Sequence, residues 1–281
     1  MRVLQISDTH LGAEWNVRAP EPLRCAGWRR ADDHHAALEH ALGPALREEV
    51  DLVIHAGDVF DRSRPPMRDV ERAGELFTRV ARRVPVLGIA GNHDRKGIQR
   101  WLPHRSLRFV DRAEAVEVGG LRVGLVPFRR RAVDFAADAR GLGAVDLLVC
   151  HQAFDGSRVP GFTFRVGTQA DTVGAEHVPE GVRHIACGHI HPRQAVRVGP
   201  AEVVHGGSTE RTAFSEADQP KGAVLWDFGR TVRWRFTDHP TRPMHTGASP
   251  DAVPGALVRC TEGEVPGVLR SGAVAVVRRA R

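Results

Sequence analysis

The chain has 281 residues, 42% hydrophobic and 26% charged, a globular balance that excludes a disordered polyelectrolyte and permits one large layered domain with a small appendage. Its net charge is +6 and its sequence pI about 10.0, almost entirely from arginine, since Lys96 and Lys221 are the only lysines. A partner carrying phosphates suits such a surface, because guanidinium forks match phosphate oxygens, although a genome biased toward Arg, Ala and Gly would give the same count.

In chain order, short runs rich in Val, Ile and Leu at 2–7, 51–56, 84–90, 121–126, 145–150 and 183–187 each end in a polar or glycine-containing turn. Runs of this length read as buried strands. Between the first few, residues 31–48 and 67–83 carry apolar side chains three and four apart and predict helices, so the sheet should be covered by helices. From residue 194 strands come in pairs, 194–198 with 201–205 and 222–228 with 231–237, the second pair joined by a tight hairpin at Gly229 and Arg230. The segment from Pro240 to Pro254, rich in Pro, Gly, Ser and Thr, predicts a linker. Strands at 256–260 and 273–278 close the chain and are too few for an independent domain. The expected division is therefore a catalytic body at 1–239 and, at 240–281, a linker with a short β-rich appendage.

Cys25, Cys150, Cys187 and Cys260 show no C-x-x-C spacing, which fits a reducing compartment and core packing. The amino terminus reaches Asp8 directly after one strand and lacks the apolar core of a signal peptide. No apolar run approaches the ~20 residues that span a bilayer. A cytoplasmic protein with no membrane partner is expected.

Several strand candidates end in metal-ligand residue types: Asp8-Thr9-His10, Gly57-Asp58, Gly91-Asn92-His93-Asp94, His151, and Gly188-His189-Ile190-His191. Ligands at the carboxyl ends of strands are how an open α/β sheet builds a site. Asp8 and His10 are two apart, as are His189 and His191, so in extended backbone each pair projects to one side. Each piece alone is a chance match; five at strand ends are not. Nitrogen and oxygen donors without thiolate favour Mn, Fe or Zn. Seven donors exceed one tetrahedral ion and suit two ions roughly 3.5–4 Å apart.

This ordered set resembles the calcineurin-like metallophosphoesterases over residues 1 to about 192. ISDTHLG at 6–12, HAGDVFDRSRPP at 55–66, GNHD at 91–94, GHIHP at 188–192 and GGSTERTAFSE at 206–216 resemble its SbcD-like DNA repair exonuclease branch. The resemblance implies an α/β fold, a four-layer α/β/β/α sandwich, in which Asp8, His10, Asp58 and His191 hold one ion and Asp58, Asn92, His151 and His189 the other. It implies that His93 protonates or stabilises the leaving oxygen and that Asp61 orients His93. Arg62, Arg64 and Arg211 are candidates for substrate contact, with bracing or solvation as the alternative, and His205 is a candidate to support the site.

The implied cofactors are two divalent ions, Mn first, with Fe, Zn or Ni as alternatives. The implied partners are DNA with ends or single strands, a second copy of the chain, and an SbcC-like ATPase. With forty or so residues after His239, the cap and ATPase-docking helices of full-length relatives are expected to be missing, and cleavage of single strands or frayed ends without an ATPase is expected. The implied reaction is metal-dependent hydrolysis of DNA phosphodiesters; the alternative is a small-molecule or cyclic-nucleotide phosphodiesterase or phosphatase of the same superfamily.

Overall fold

A computed structural model describes residues 1–94, 98–102, 105–246 and 254–277. Two six-stranded sheets dominate it. The first runs in the order Val232–Asp238, Gly222–Phe228, Arg2–Ile6, Leu52–His55, Val86–Ile89, Leu107–Val110. Its last four strands are parallel and its first two antiparallel. The second runs Gln194–Val198, Ala201–His205, His184–Cys187, Leu147–Cys150, Leu121–Val126, Glu114–Val118, with four parallel strands between antiparallel edges.

The parallel strands read as unbroken apolar runs because both of their faces are covered. Val3, Leu52, Ile54, Leu87 and Ile89 of the first sheet meet Leu121, Val123, Leu147, Val149 and Val204 of the second in one core. Within it the fully buried Gln5 donates its amide to Cys187 O (3.1 Å) and Val204 O (3.0 Å) and accepts from Trp226 Nε1 (2.8 Å), so a satisfied polar side chain fixes one sheet against the other.

The outer face of the first sheet is covered by helices Arg30–Ala41, Gly43–Leu46 and Met67–Ala81. Val70, Ala73, Phe77 and Val80 of the third follow helical spacing and pack with Leu4, Ile6, Val53 and Val86. The outer face of the second sheet is covered by the helix Ala132–Gly141 through Ala132, Phe135 and Ala139. The result is the expected four-layer α/β/β/α sandwich. The Ala132–Gly141 helix was not expected from the sequence, because its apolar stripe is mostly alanine and contrasts weakly with its surroundings.

The hairpin after residue 222 is present, with strands Gly222–Phe228 and Val232–Asp238, one loop residue longer than expected. The C-terminal segment differs more. The stretch expected to be only a linker contributes the strand Met244–Thr246, and its residues 247–253 lie outside the described ones, as does 278 at the end of the last strand. Met244–Thr246, Leu257–Cys260, Val274–Val277 and Val17–Arg18 form, in that order, a third sheet of four strands in which Val274–Val277 pairs with Val17–Arg18. Its Met244, Leu257 and Val274 pack against Trp15, Leu23, Trp28 and Phe214. Among the described residues no helix is long and apolar enough to cross a membrane.

Candidate metal centre

The carboxyl ends of the two sheets meet at one face, and all seven expected donors gather there. Asp8, His10, Asp58 and His151 are buried, His189 and His191 half-buried, and Asn92 exposed. His10 Nε2 lies 3.2 Å from His191 Nε2 and 3.8 Å from Asp58 Oδ2, and His191 Nε2 lies 4.0 Å from Asp8 Oδ1. On the other side, His151 Nε2 lies 3.4 Å from the same Asp58 Oδ2 and 2.9 Å from Asn92 Oδ1, which is 3.0 Å from His189 Nδ1. One oxygen of Asp58 thus faces both groups.

Ligand atoms about 2.0–2.2 Å from a shared ion sit roughly 3–3.5 Å apart, a spacing that the 3.0, 3.2 and 3.4 Å pairs have and that the 3.8 and 4.0 Å pairs approach. Closely packed imidazole nitrogens and carboxylates without thiolate are a donor set for a hard or borderline divalent ion.

Backbone strain marks the same residues. Among the described residues five other than glycine have positive φ, and four of them are Asp8 (50°), His10 (43°), Asp58 (55°) and His189 (76°). Such conformations cost about 1–3 kcal/mol each and persist only where the surroundings enforce them. Here Asp8 N donates to Gly57 O (3.0 Å) and His10 N to Asp58 O (3.2 Å), which locks the two loops together. A Cβ on Gly91 would collide with the Asp58 carboxylate, so glycine is required for that approach.

Supporting side chains fix the ring orientations. His151 Nδ1 donates to Ala56 O (2.8 Å), turning Nε2 toward Asp58. His191 Nδ1 faces Thr212 Oγ1 (2.7 Å) and Glu216 Oε1 (3.0 Å), and Glu216 is held by the buried Lys221 (2.7 Å). His205 bonds Gly188 O (3.1 Å) and Ser157 Oγ (2.9 Å), bracing the glycine before His189. Asp94, buried, accepts from the main-chain N–H groups of Val59 (3.1 Å), Phe60 (2.9 Å) and Gly91 (3.0 Å) and ties the Asp58 loop to the Asn92 loop. Asp94, Thr212, Glu216 and Lys221 were not singled out in the sequence; all but Lys221 lie inside the GNHD and GGSTERTAFSE segments, which were the available signal.

Electrostatics follow from burial and pairing. Burial pushes His10 and His189 down to about 3, leaving them neutral, the form that offers a lone pair. Burial opposes charge on His151 too, but the Asp58 carboxylate overrides it and raises His151 to about 10. Burial would raise Asp58, yet His151 and His10 hold its carboxyl well below the usual carboxylate range.

His93 is exposed, with its N–H on Asp58 Oδ1 (2.8 Å) and its Nδ1–H on the main-chain carbonyl of Asp61 (2.7 Å). It therefore stands beside the donor set with Nε2 turned away from these anchors. Asp61, expected to orient His93, bonds it through its main-chain carbonyl, while its carboxylate lies 3.7 Å from His10 Nδ1.

Arg62 and Arg64 are exposed on the loop after Asp58, Arg62 lying 3.7 Å from Asp61. Arg211, a candidate for substrate contact or for bracing its loop, donates inward to Glu216 O (3.2 Å), Thr241 Oγ1 and Arg242 O (3.2 Å). Of the consecutive Arg129, Arg130 and Arg131, Arg129 pairs with Asp138 and Arg131 with Asp134. His34, His35 and His55 are buried and bonded to Thr9 O, Asp69 and Thr9 Oγ1, as structural histidines are.

A four-layer sandwich with this donor set at its strand ends defines a metal-dependent phosphoesterase. Residues 1–193 match the sequence profile described as Calcineurin-like phosphoesterase, and the chain belongs to that family. It is similar to the DNA double-strand break repair protein Mre11 of Methanosarcina mazei (24% identity, 86% of this chain, 39% of the relative) and of Aeropyrum pernix (27%, 80% and 58%). The Mre11 protein of Haloferax volcanii is 30% identical over 81% of this chain and 49% of its own. The chain thus spans roughly two-fifths to three-fifths of the length of these relatives. The crystal structure of the Thermus thermophilus protein TT1561 shares the fold, with a TM-score of 0.52 at 12% identity, covering 84% of this chain and 98% of that one.

Proposed function

We propose that the chain is a two-metal phosphodiesterase that hydrolyses DNA, a nuclease of the SbcD and Mre11 kind. The observation that carries this reading is the division of seven donors into two groups that share Asp58 Oδ2, with His93 beside them. Asp8, His10, Asp58 and His191 would hold one ion and Asp58, Asn92, His151 and His189 the other, with Mn the first candidate. When bound, such ions act as Lewis acids on phosphate oxygens and lower the pKa of water.

The protein's own share is position and proton transfer. Buried Asp58, fixed by His93 N and by its own strained backbone (φ 55°), keeps the two groups at one spacing. His93, held at Nδ1 by Asp61 O, offers Nε2 to the departing alkoxide. Exposed Arg62 and Arg64 can pair with neighbouring phosphates. DNA is favoured as substrate by the similarity to Mre11 proteins and by the net positive charge. An SbcC-like ATPase and a second copy of the chain are the protein partners this reading would bring.

The test is digestion of end-labelled single- and double-stranded DNA with and without Mn, beside bis-p-nitrophenyl phosphate. Mn-dependent loss of DNA is expected. Brisk hydrolysis of the small diester with intact DNA would replace this reading with a small-molecule phosphodiesterase.

A further inference from the structure

The imidazole of His10 uses one face only. Its Nε2 points at His191 Nε2 (3.2 Å) and Asp58 Oδ2 (3.8 Å), while its Nδ1 is buried without a hydrogen-bond partner. A buried N–H left unpaired costs about 1–3 kcal/mol, so it demands an acceptor. The carboxylate facing it is that of Asp61, with Oδ1 at 3.7 Å, and the ligand atoms of His10, Asp61 and His93 lie within 4.8 Å of one another.

The backbone already holds Asp61 there. Asp61 N donates to Leu11 O (3.1 Å), one residue beyond His10, and Asp61 O accepts the Nδ1–H of His93 (2.7 Å). The main chain of Asp61 therefore serves His93 whatever the side chain is, and the carboxylate turns Oδ1 toward His10 while its Oδ2 lies 3.7 Å from the Arg62 guanidinium. An approach of somewhat under ~1 Å brings 3.7 Å into hydrogen-bond range. A metal-ligating histidine commonly donates its second N–H to a carboxylate, which fixes its tautomer and raises its basicity.

We propose that Asp61 is a positioning residue for His10: its carboxylate accepts the His10 Nδ1–H and strengthens the ion held with Asp8 and His191, while His93 depends only on the Asp61 carbonyl. This rests on the reading of His10 as a ligand given above. It separates two effects that a carboxylate on His93 would merge, because the side chain then governs metal affinity and not leaving-group assistance.

The experiment is Mn binding by equilibrium dialysis with wild type, Asp61→Ala and Asp61→Asn, with far-UV circular dichroism as the folding check. It is paired with turnover at saturating Mn on diesters with good and poor leaving groups. Asp61→Ala should weaken one of two ions by about 10–100-fold, leave the other unchanged and keep the leaving-group dependence of wild type. Asp61→Asn, which retains an acceptor oxygen, should recover most of that affinity. Unchanged affinity in Asp61→Ala, or a selective loss on poor leaving groups, overturns the inference while two ions in wild type leave the metal reading standing. A wild type that holds no Mn overturns both.

Discussion

The two six-stranded sheets each hold four adjacent parallel strands, with the antiparallel strands on one side of the first and at both edges of the second, yet they supply different chemistry to the face where they meet. The first sheet's strand ends contribute Asp8, His10, Asp58 and Asn92, three oxygen donors and one imidazole; the second contributes only imidazoles, His151, His189 and His191. Their means of support differ as well. The first sheet's donors are held by strained turns and main-chain bonds, with φ of 50°, 43° and 55° at Asp8, His10 and Asp58. The second sheet shares such strain only at His189 (φ 76°), and its other rings are held by side chains and carbonyls behind them, Ala56 O for His151 and Thr212 with Glu216 for His191. Neither half presents a complete set, so the centre exists only in the assembled sandwich that Gln5 and the shared core hold together.

This asymmetry can be broken from either side. The largest effect is expected at Asp58, the donor facing both groups: Asp58→Ala should lose both ions and all Mn-dependent turnover, whereas His151→Ala should lose one ion, as counted by elemental analysis after dialysis. Next comes His93→Ala, which should keep both ions but slow hydrolysis of a DNA diester by about 10²–10⁴-fold. Kinetics with a p-nitrophenolate leaving group, which needs less protonation, should show a smaller loss.

A third change probes the support behind His191. The Glu216–Lys221 pair is buried, with Lys221 also on Ser208 Oγ (2.7 Å), so Lys221→Met strands a carboxylate and should cost about 3–5 kcal/mol in urea unfolding. The double variant with Glu216→Gln should recover part of that loss. The smallest expected effect is on the intact chain: Mn at about 100 times its Kd should stabilise it by roughly 2.7 kcal/mol per independent site, seen as a rise in Tm that EDTA reverses.

Much of this was legible in the sequence because strand ends announce themselves: VLQIS, LVIHA and VLGIA each run straight into donor residues. Parallel strands covered on both faces are uniformly apolar, so their boundaries stand out. The helix Ala132–Gly141 and the strands Leu107–Val110 and Glu114–Val118 were missed, the strands because Arg108, Glu114 and Glu117 interrupt their apolar pattern. Two strands of the third sheet, Leu257–Cys260 and Val274–Val277, were expected at 256–260 and 273–278, but its assembly was not legible, because its edge strand Val17–Arg18 is two residues long and separated from its partner Val274–Val277 by more of the chain than any local pattern spans. The donors were found by residue type, but of their supports only His205 and Asp61 were. That Glu216 faces His191, or that the Asp61 carbonyl and not its carboxylate meets His93, is decided by loop geometry that spacing does not encode.

The most direct test of a centre assembled across both sheets is a crystal structure grown with Mn, read by anomalous scattering. Two peaks roughly 3.5–4 Å apart are expected, one among Asp8, His10 and His191 and one among Asn92, His151 and His189, with Asp58 between them. A single peak, or peaks confined to the donors of one sheet, would contradict it.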